Sequence, residues 1–257
     1  MTIGHTIQGE GPEGVIVCHG WFGDGVSTFS SMFPYLDAQA YTYAFVDCRG
    51  YGQSVGMKGE CTMEEIARDV LDLADHLGWQ RFHLIGHSMG GKAVQRVLID
   101  ARERVKSLVA IAPVPASGVP FEPEVWKLFS GCVEDDVLRR AIVDFSTSNR
   151  LTPIWGAAMI NVLRKNSDAE AFGKYLMPWA KDDYSAMAEG IEVPVKVIIG
   201  EYDPSLTRSV MEQTFLSLYP NSELEVIANA GHYPTHETPV ILTTILEKFL
   251  AKHADCC

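Results

Sequence analysis

Short apolar runs alternate along this chain with segments of helical period. Runs of strand length lie at 2–8, 14–19, 41–47, 81–86, 105–112, 193–200 and 222–228. Several are almost wholly apolar, such as Val15-Ile16-Val17 and Val195-Lys196-Val197-Ile198-Ile199. Strands buried on both faces read this way. Between them come helical stripes. Thr62 and Glu65 form a T-x-x-E capping signature, in which Thr62 caps the helix and Glu65 reaches back. Ile66, Val70, Leu73 and Leu77 then repeat on one helical face, and Gly78 marks the stop. A last helix over 239–252 carries Ile241, Ile245 and Phe249. The alternation predicts an α/β fold, a mostly parallel central sheet flanked by helices.

The rhythm breaks between about residues 115 and 190. Pro113, Pro115, Gly118, Pro120 and Pro123 punctuate its start, helical aromatic-bearing segments follow, and Pro194 marks the return to strand pattern. The expected organisation is a core of 1–114 and 191–257 with a helical cap, 115–190, inserted into it. Return to the same sheet pattern favours an insertion over a separate domain on a linker.

Composition narrows the class. Of 257 residues, 47% are hydrophobic and 21% charged, which suits a globular protein with a sizeable core. The 21 Lys and Arg against 33 Asp and Glu give a net charge of −12. Such a surface repels phosphate backbones and anionic lipid heads, so the expected partner is a neutral small molecule, not nucleic acid or membrane. No apolar run spans a bilayer, and residues 1–10 lack a secretory pattern, so the expected compartment is cytoplasmic. The sequence leaves the oligomeric state open. Cys18, Cys48, Cys61, Cys132, Cys256 and Cys257 lack zinc-site spacing. Cys18 and Cys48 read as small buried residues, and the Cys256-Cys257 pair as part of a frayed tail.

The strongest chemical signal is Gly86-His87-Ser88-Met89-Gly90, a G-x-S-x-G pentapeptide between a predicted strand and a predicted helix. A sharp strand-to-helix turn lifts a serine hydroxyl above the sheet and leaves room only for glycine beside it. Ser88 is the candidate nucleophile, and it needs a base. Of eight histidines, His232 alone lies in a loop directly after the last predicted strand, at the sheet edge where α/β folds place ligands. His236 is the nearest rival. His87 adjoins Ser88 but is expected to point away from it in the tight turn, and His19 to make structural hydrogen bonds. Asp203, at the end of the strand before, is the candidate acid that orients His232, with Glu201 the local rival. An oxyanion needs two N–H donors. The candidates are the backbone of Met89, just after the nucleophile, and that of Trp21, in His19-Gly20-Trp21-Phe22-Gly23.

Taken together, these segments resemble the α/β-hydrolase superfamily over nearly the whole chain. The resemblance rests on His19-Gly20-Trp21, on the loop from Asp47 to Ser54, on Gly86 to Gly91, on Gly200-Glu201-Tyr202-Asp203 and on Gly231-His232, in the family's order. The elbow and the Lys92-Ala93 after it look like those of small carboxylesterases and thioesterases. The resemblance implies that the Asp47–Ser54 loop is structural and that acyl transfer needs no metal or organic cofactor. The chain departs from the family pattern in its short N-terminal part, where there is room before the His19-Gly20 loop for one strand and many relatives have two. Ser88 separates the chain from branches with aspartate at the elbow.

The expected activity is hydrolysis of a neutral, hydrophobic ester or lactone. Phe22, Trp126, Phe129, Trp155, Trp179 and Tyr184 are the candidate pocket residues. Two alternatives stay open: a perhydrolase or lyase on the same three residues, and a ligand sensor with vestigial hydrolysis.

Overall fold

The computed structural model describes residues 2–254. Among them, seven strands form one sheet: β1 (His5–Gln8), β2 (Glu13–Cys18), β3 (Tyr41–Val46), β4 (Phe82–His87), β5 (Val105–Ile111), β6 (Val195–Gly200) and β7 (Ser222–Ile227). Their order is β1-β3-β2-β4-β5-β6-β7, with β1 antiparallel to β3 and every other pair parallel. All seven apolar runs are strands of this sheet. The first is shorter than its pattern, because Gly4 leaves the ladder: its N–H donates to Ser54 Oγ and its carbonyl accepts from the Asp47 amide, each at 2.8 Å. The sixth begins after Pro194, which has no N–H to give the ladder.

Twelve α-helical segments accompany the strands among the described residues. They are α1 (Gly25–Phe29), α2 (Met63–His76), α3 (Met89–Asp100), α4 (Pro123–Gly131), α5 (Asp136–Ser146), α6 (Pro153–Asn166), α7 (Ala169–Lys181), α8 (Ser185–Ala188), α9 (Arg208–Gln213), α10 (Phe215–Leu218), α11 (Pro234–Glu237) and α12 (Pro239–Ala251). Helices α4 to α8 fill the stretch between β5 and β6 without a strand. One apolar cluster joins α2, α3 and several of these helices to one face of the sheet. A second packs α12 and Phe29 on the other.

Two local expectations need correction. Thr62 Oγ1 accepts from the Glu65 amide at 3.2 Å, but Glu65 reaches one residue further than a capping box requires. Its carboxylate takes the N–H of Cys61, which sits at φ 58°. In α12 the buried stripe is Leu242, Leu246, Phe249 and Leu250, whereas Ile241 is 47% exposed. Both stripes have helical period, and the leucine stripe is the one the sheet covers. Cys18, Cys48, Cys61 and Cys132 are buried free thiols. Cys256 and Cys257 lie outside the described residues.

Helix α3 runs very close to the sheet. A Cβ on Gly90 would meet the Cys18 carbonyl oxygen at 2.3 Å, and one on Gly86 would meet that of Gly90 at 2.3 Å. Neither contact is with a movable side chain. Gly90→Ala should therefore lower stability by about 1–3 kcal/mol or more, read as a drop in the urea midpoint. Gly56, with open space around it, serves as control, and Gly56→Ala should shift stability by less than about 0.5 kcal/mol. Equal effects of the two would contradict the close-packing argument.

Candidate active site

Ser88 joins β4 to α3 at φ 54° and ψ −116°, outside the regions open to an unstrained L-residue. Such a conformation costs about 1–3 kcal/mol and persists only where its surroundings fix it. Three backbone hydrogen bonds do so: the Ser88 amide donates to Ile111 O at 3.0 Å, and its carbonyl accepts from Gly91 at 2.9 Å and Val114 at 3.0 Å.

His232 follows β7 and faces the serine. Its Nε2 lies 3.0 Å from Ser88 Oγ, and its Nδ1 lies 2.7 Å from Asp203 Oδ2. Because the carboxylate can only accept, the Nδ1–H donates to it and Nε2 is left to accept the serine proton. Asp203 is 4% exposed. Its other oxygen accepts from the amides of Ser205 and Leu206, each at 3.0 Å. Burial pushes the Asp203 pKa up, but His232 and these hydrogen bonds outweigh burial and hold it below the ordinary carboxylate value. The acid stays ionised beside the imidazole. The structure thus brings Ser88, His232 and Asp203 into one hydrogen-bonded row.

The loop after β2 lies against this row. His19 pins it: Nδ1 donates to Gly20 O at 2.7 Å and Nε2 accepts the Cys48 amide at 3.1 Å. Trp21 O accepts from Tyr51 Oη at 3.0 Å, and the Trp21 indole N–H donates to Phe172 O at 2.8 Å. Its ring stacks on Phe172 with centroids 4.2 Å apart. A Cβ on Gly20 would sit 3.1 Å from Ser88 Cβ, so only glycine lets the loop come this near. Among the described residues, no protein acceptor faces the Trp21 amide. Met89 is the first residue of α3, where an amide lacks an intrahelical partner. Both amides therefore have the free N–H that an oxyanion site requires.

A cavity of about 780 Å³, mouth included, opens over Ser88, and it is lined mainly by apolar groups. Phe22, Phe129 and Trp179 line it as expected, together with Trp21. Trp126, Trp155 and Tyr184 do not. Trp126 packs on Phe121 and beneath Lys181 Nζ, 4.6 Å from its ring. Trp155 sits edge-on to Tyr233 and His236. Tyr184 donates to Asp182 and stacks with Lys92 and Arg96. Their places in the lining go to Phe121, Met159, Ile142 and Leu206. Ile142 on α5 and Met159 on α6 are not marked by periodicity, because each helix shows the cavity only one side and its neighbours decide which, while Phe121 and Leu206 lie in loops that carry no period.

The rivals separate cleanly. Glu201 accepts from the Asn229 amide at 3.2 Å and does not touch His232. His236 lines the cavity but makes no contact with Asp203, and burial lowers its pKa. His87 borders the cavity. Its Nε2 donates to His232 O at 2.8 Å, which leaves Nδ1 unprotonated and without a partner. Burial pushes its pKa down to about 3. In the Asp47–Ser54 loop, Asp47 accepts from the amides of Gly25 and Gln53, and Arg49 grips Asp69 through two hydrogen bonds of 2.8 Å. That loop is structural.

Comparison with known proteins agrees with this architecture. The family model for the alpha/beta hydrolase fold matches residues 14–141. The chain belongs to the α/β-hydrolase superfamily. It is 28% identical over 266 aligned positions to a 2-hydroxy-6-oxononadienedioate/2-hydroxy-6-oxononatrienedioate hydrolase of Paraburkholderia phymatum, covering 98% of this chain and 92% of that one. Its fold is similar to that of an esterase from Exiguobacterium antarcticum, with a TM-score of 0.86 at 20% identity over 97% of this chain and 95% of that one. It is also similar to an enol-lactonase from Burkholderia xenovorans, with a TM-score of 0.82 at 22% identity over 97% and 96%. Among the described residues of this α/β-hydrolase, no helix is long and apolar enough to cross a membrane.

Two measurements check the site. Asp203→Asn should lower kcat on an ester by about 10⁴-fold, and Glu201→Gln should leave it nearly unchanged. The reverse pattern in steady-state kinetics would assign the acid to Glu201. The second concerns His87, whose folded pKa of about 3 lies below the unfolded value near 6.5. Between those values the unfolded chain binds the proton that the folded one refuses, so His87 makes stability fall as pH falls from about 6.5. Urea titrations at pH 7 and pH 5 should show a smaller acid loss for His87→Gln than for wild type. Parallel losses would contradict this.

Proposed function

We propose that this α/β-hydrolase is a serine hydrolase that cleaves a neutral, hydrophobic ester or lactone through an acyl-enzyme on Ser88. The observation that carries the reading is the Asp203–His232–Ser88 row on the floor of an apolar cavity. Ser88 Oγ attacks the carbonyl carbon while His232 Nε2 takes its proton. The carbonyl oxygen becomes an oxyanion, held by the backbone N–H groups of Trp21 and Met89. The tetrahedral centre collapses, the C–O bond breaks, and the alcohol leaves with the proton from His232. Water then attacks the acyl-enzyme, giving its proton to His232 and freeing acid and serine. Asp203 stabilises the imidazolium formed in each step. In a lactone the leaving alcohol stays tethered to the acyl group and the bonds are otherwise the same.

In this reading residues 115–190 are a cap over a core of 1–114 and 191–257. Cap residues Phe121, Phe129, Met159 and Trp179, with Phe22 from the core, enclose the apolar part of the substrate. Excluding water there strengthens the oxyanion's hydrogen bonds.

The relatives' names favour a second reading, carbon–carbon bond hydrolysis on the same serine. The Paraburkholderia phymatum relative is named for a dioate, a substrate with two carboxylates. The cavity lining speaks for the first reading. It contains no Lys or Arg among the described residues, and burial disfavours the charged form of both His87 and His236. A dianion would enter an apolar pocket without a cationic partner, on a chain of net charge −12.

Hydrolysis of p-nitrophenyl acetate, butyrate and octanoate and of two lactones, wild type beside Ser88→Ala, tests the proposal. Turnover of esters or lactones by wild type and none by Ser88→Ala is the expected result. Turnover of the dienedioate with none on any ester or lactone would replace the first reading by the second.

A further inference from the structure

We propose that Glu237 and Arg150 form a clamp that positions His232, and so tie the segment between β5 and β6 to the general base. The inference rests on the reading of His232 as that base. Glu237 does not border the cavity, so its role is positioning.

The peptide units around His232 are held one after another. The amide of Gly231 donates to Glu237 Oε1 at 2.9 Å, that of His232 to Ser146 O at 3.0 Å, and that of Tyr233 to Glu237 Oε1 at 3.2 Å. The His232 carbonyl accepts from His87 Nε2. One carboxylate oxygen thus spans both sides of the base. The Glu237 side chain is 2% exposed, and a buried carboxylate needs a counter-charge. Arg150 supplies it, with Nη1 2.8 Å from Glu237 Oε2. Hydrogen bonds to an ionised acceptor are roughly twice as strong as neutral ones, which suits a group that must hold a loop under load.

Arg150 does more than neutralise. Its Nη2 donates to Asn229 O at 2.9 Å, just before the base, and its guanidinium lies 4.3 Å over the Tyr202 ring. Tyr202 precedes Asp203, and its carbonyl accepts from Ser148 Oγ at 2.7 Å. The turn after α5 therefore grips the loop of the base and the loop of the acid together. That turn is itself constrained, since Ser148 and Asn149 have φ of 52° and 54°. The fit leaves no slack: a Cβ on Gly231 would lie 3.0 Å from Ser146 O.

The chemistry explains why such a clamp matters. The Ser88–His232 hydrogen bond anchors the imidazole only before attack. Once Oγ is acylated, that bond is gone and the imidazole must still meet an incoming water. Its backbone is then the remaining support besides Asp203. Displacement by about 1 Å can cost on the order of 100-fold in rate.

The test is steady-state kinetics on p-nitrophenyl butyrate with Glu237→Ala, Glu237→Gln, Arg150→Ala and Arg150→Lys, each checked for a wild-type circular dichroism spectrum. Glu237→Ala should lower kcat by about 30- to 100-fold with KM within about threefold. Glu237→Gln keeps an oxygen for the two amides and should restore kcat to within about fivefold of wild type. Arg150→Ala should lower kcat by about tenfold at unchanged KM, and Arg150→Lys should recover part of it. A folded Glu237→Ala with kcat within about threefold of wild type would overturn the clamp, as would a loss confined to KM. If Glu237→Ala does not fold, the Arg150 pair decides: unchanged kcat in a folded Arg150→Ala overturns the proposal. Absence of turnover by wild type would instead strike the proposed function, so the two failures are distinct.

Discussion

The strained turn at Ser88 is the constraint on which the rest of this molecule is built. A residue held at φ 54° between β4 and α3 requires α3 to leave the sheet at once and to cross it at backbone distance. That crossing needs Gly86 and Gly90 beneath it, the Ile111 carbonyl to take the Ser88 amide, and the Val114 amide to take its carbonyl. The same turn makes Met89 the first residue of α3, where an amide lacks an intrahelical partner. Strand β2 then delivers the Gly20–Trp21 backbone from one side, while β6 and β7 deliver Asp203 and His232 from the other. The strain is local, and the packing that maintains it extends across the whole sheet.

Much of this was legible from pattern alone. Largely apolar runs flanked by turn residues identify the five inner strands, because burial on both faces leaves little choice of residue, while the edge strands β1 and β7 are only partly buried and show as short mixed runs. Ser88, His232 and Asp203, which the structure brings into one hydrogen-bonded row, follow from where those strands end. The helices between β5 and β6 were legible only as helices. Trp126, Trp155 and Tyr184 are as aromatic as Phe129 and Trp179, yet they pack beside Lys181, Tyr233 and Lys92 and leave the cavity to others. Which side of a helix between β5 and β6 meets the cavity is set by tertiary packing, and the sequence period cannot encode it. Ile241 misleads for the same reason, since two stripes of equal period compete for one face. Arg150 and Glu237 were invisible because their meeting joins positions 87 residues apart through a turn of no special composition.

Polar groups in this molecule divide by whether their partners are complete. The Asp47–Ser54 loop, the His19 ring and the Arg49–Asp69 pair are satisfied internally and serve the scaffold. Near the cavity the accounting is left open. Among the described residues, the Trp21 amide has no protein acceptor, and the buried His87 Nδ1 and His236 Nε2 have no protein partner. Among the described residues, Arg139 Nε, Tyr175 Oη and Thr235 Oγ1 are also buried without a protein partner and do not line the cavity, so unmet hydrogen bonding is not confined to it.

Trapping the covalent intermediate tests the central claim most directly. The protein is mixed with p-nitrophenyl octanoate, quenched in acid within milliseconds, digested and mapped by mass spectrometry. An octanoyl adduct on Ser88 that disappears on longer incubation is the result this account predicts. A burst of p-nitrophenol with no adduct on Ser88, or with the acyl group on another residue, would contradict it.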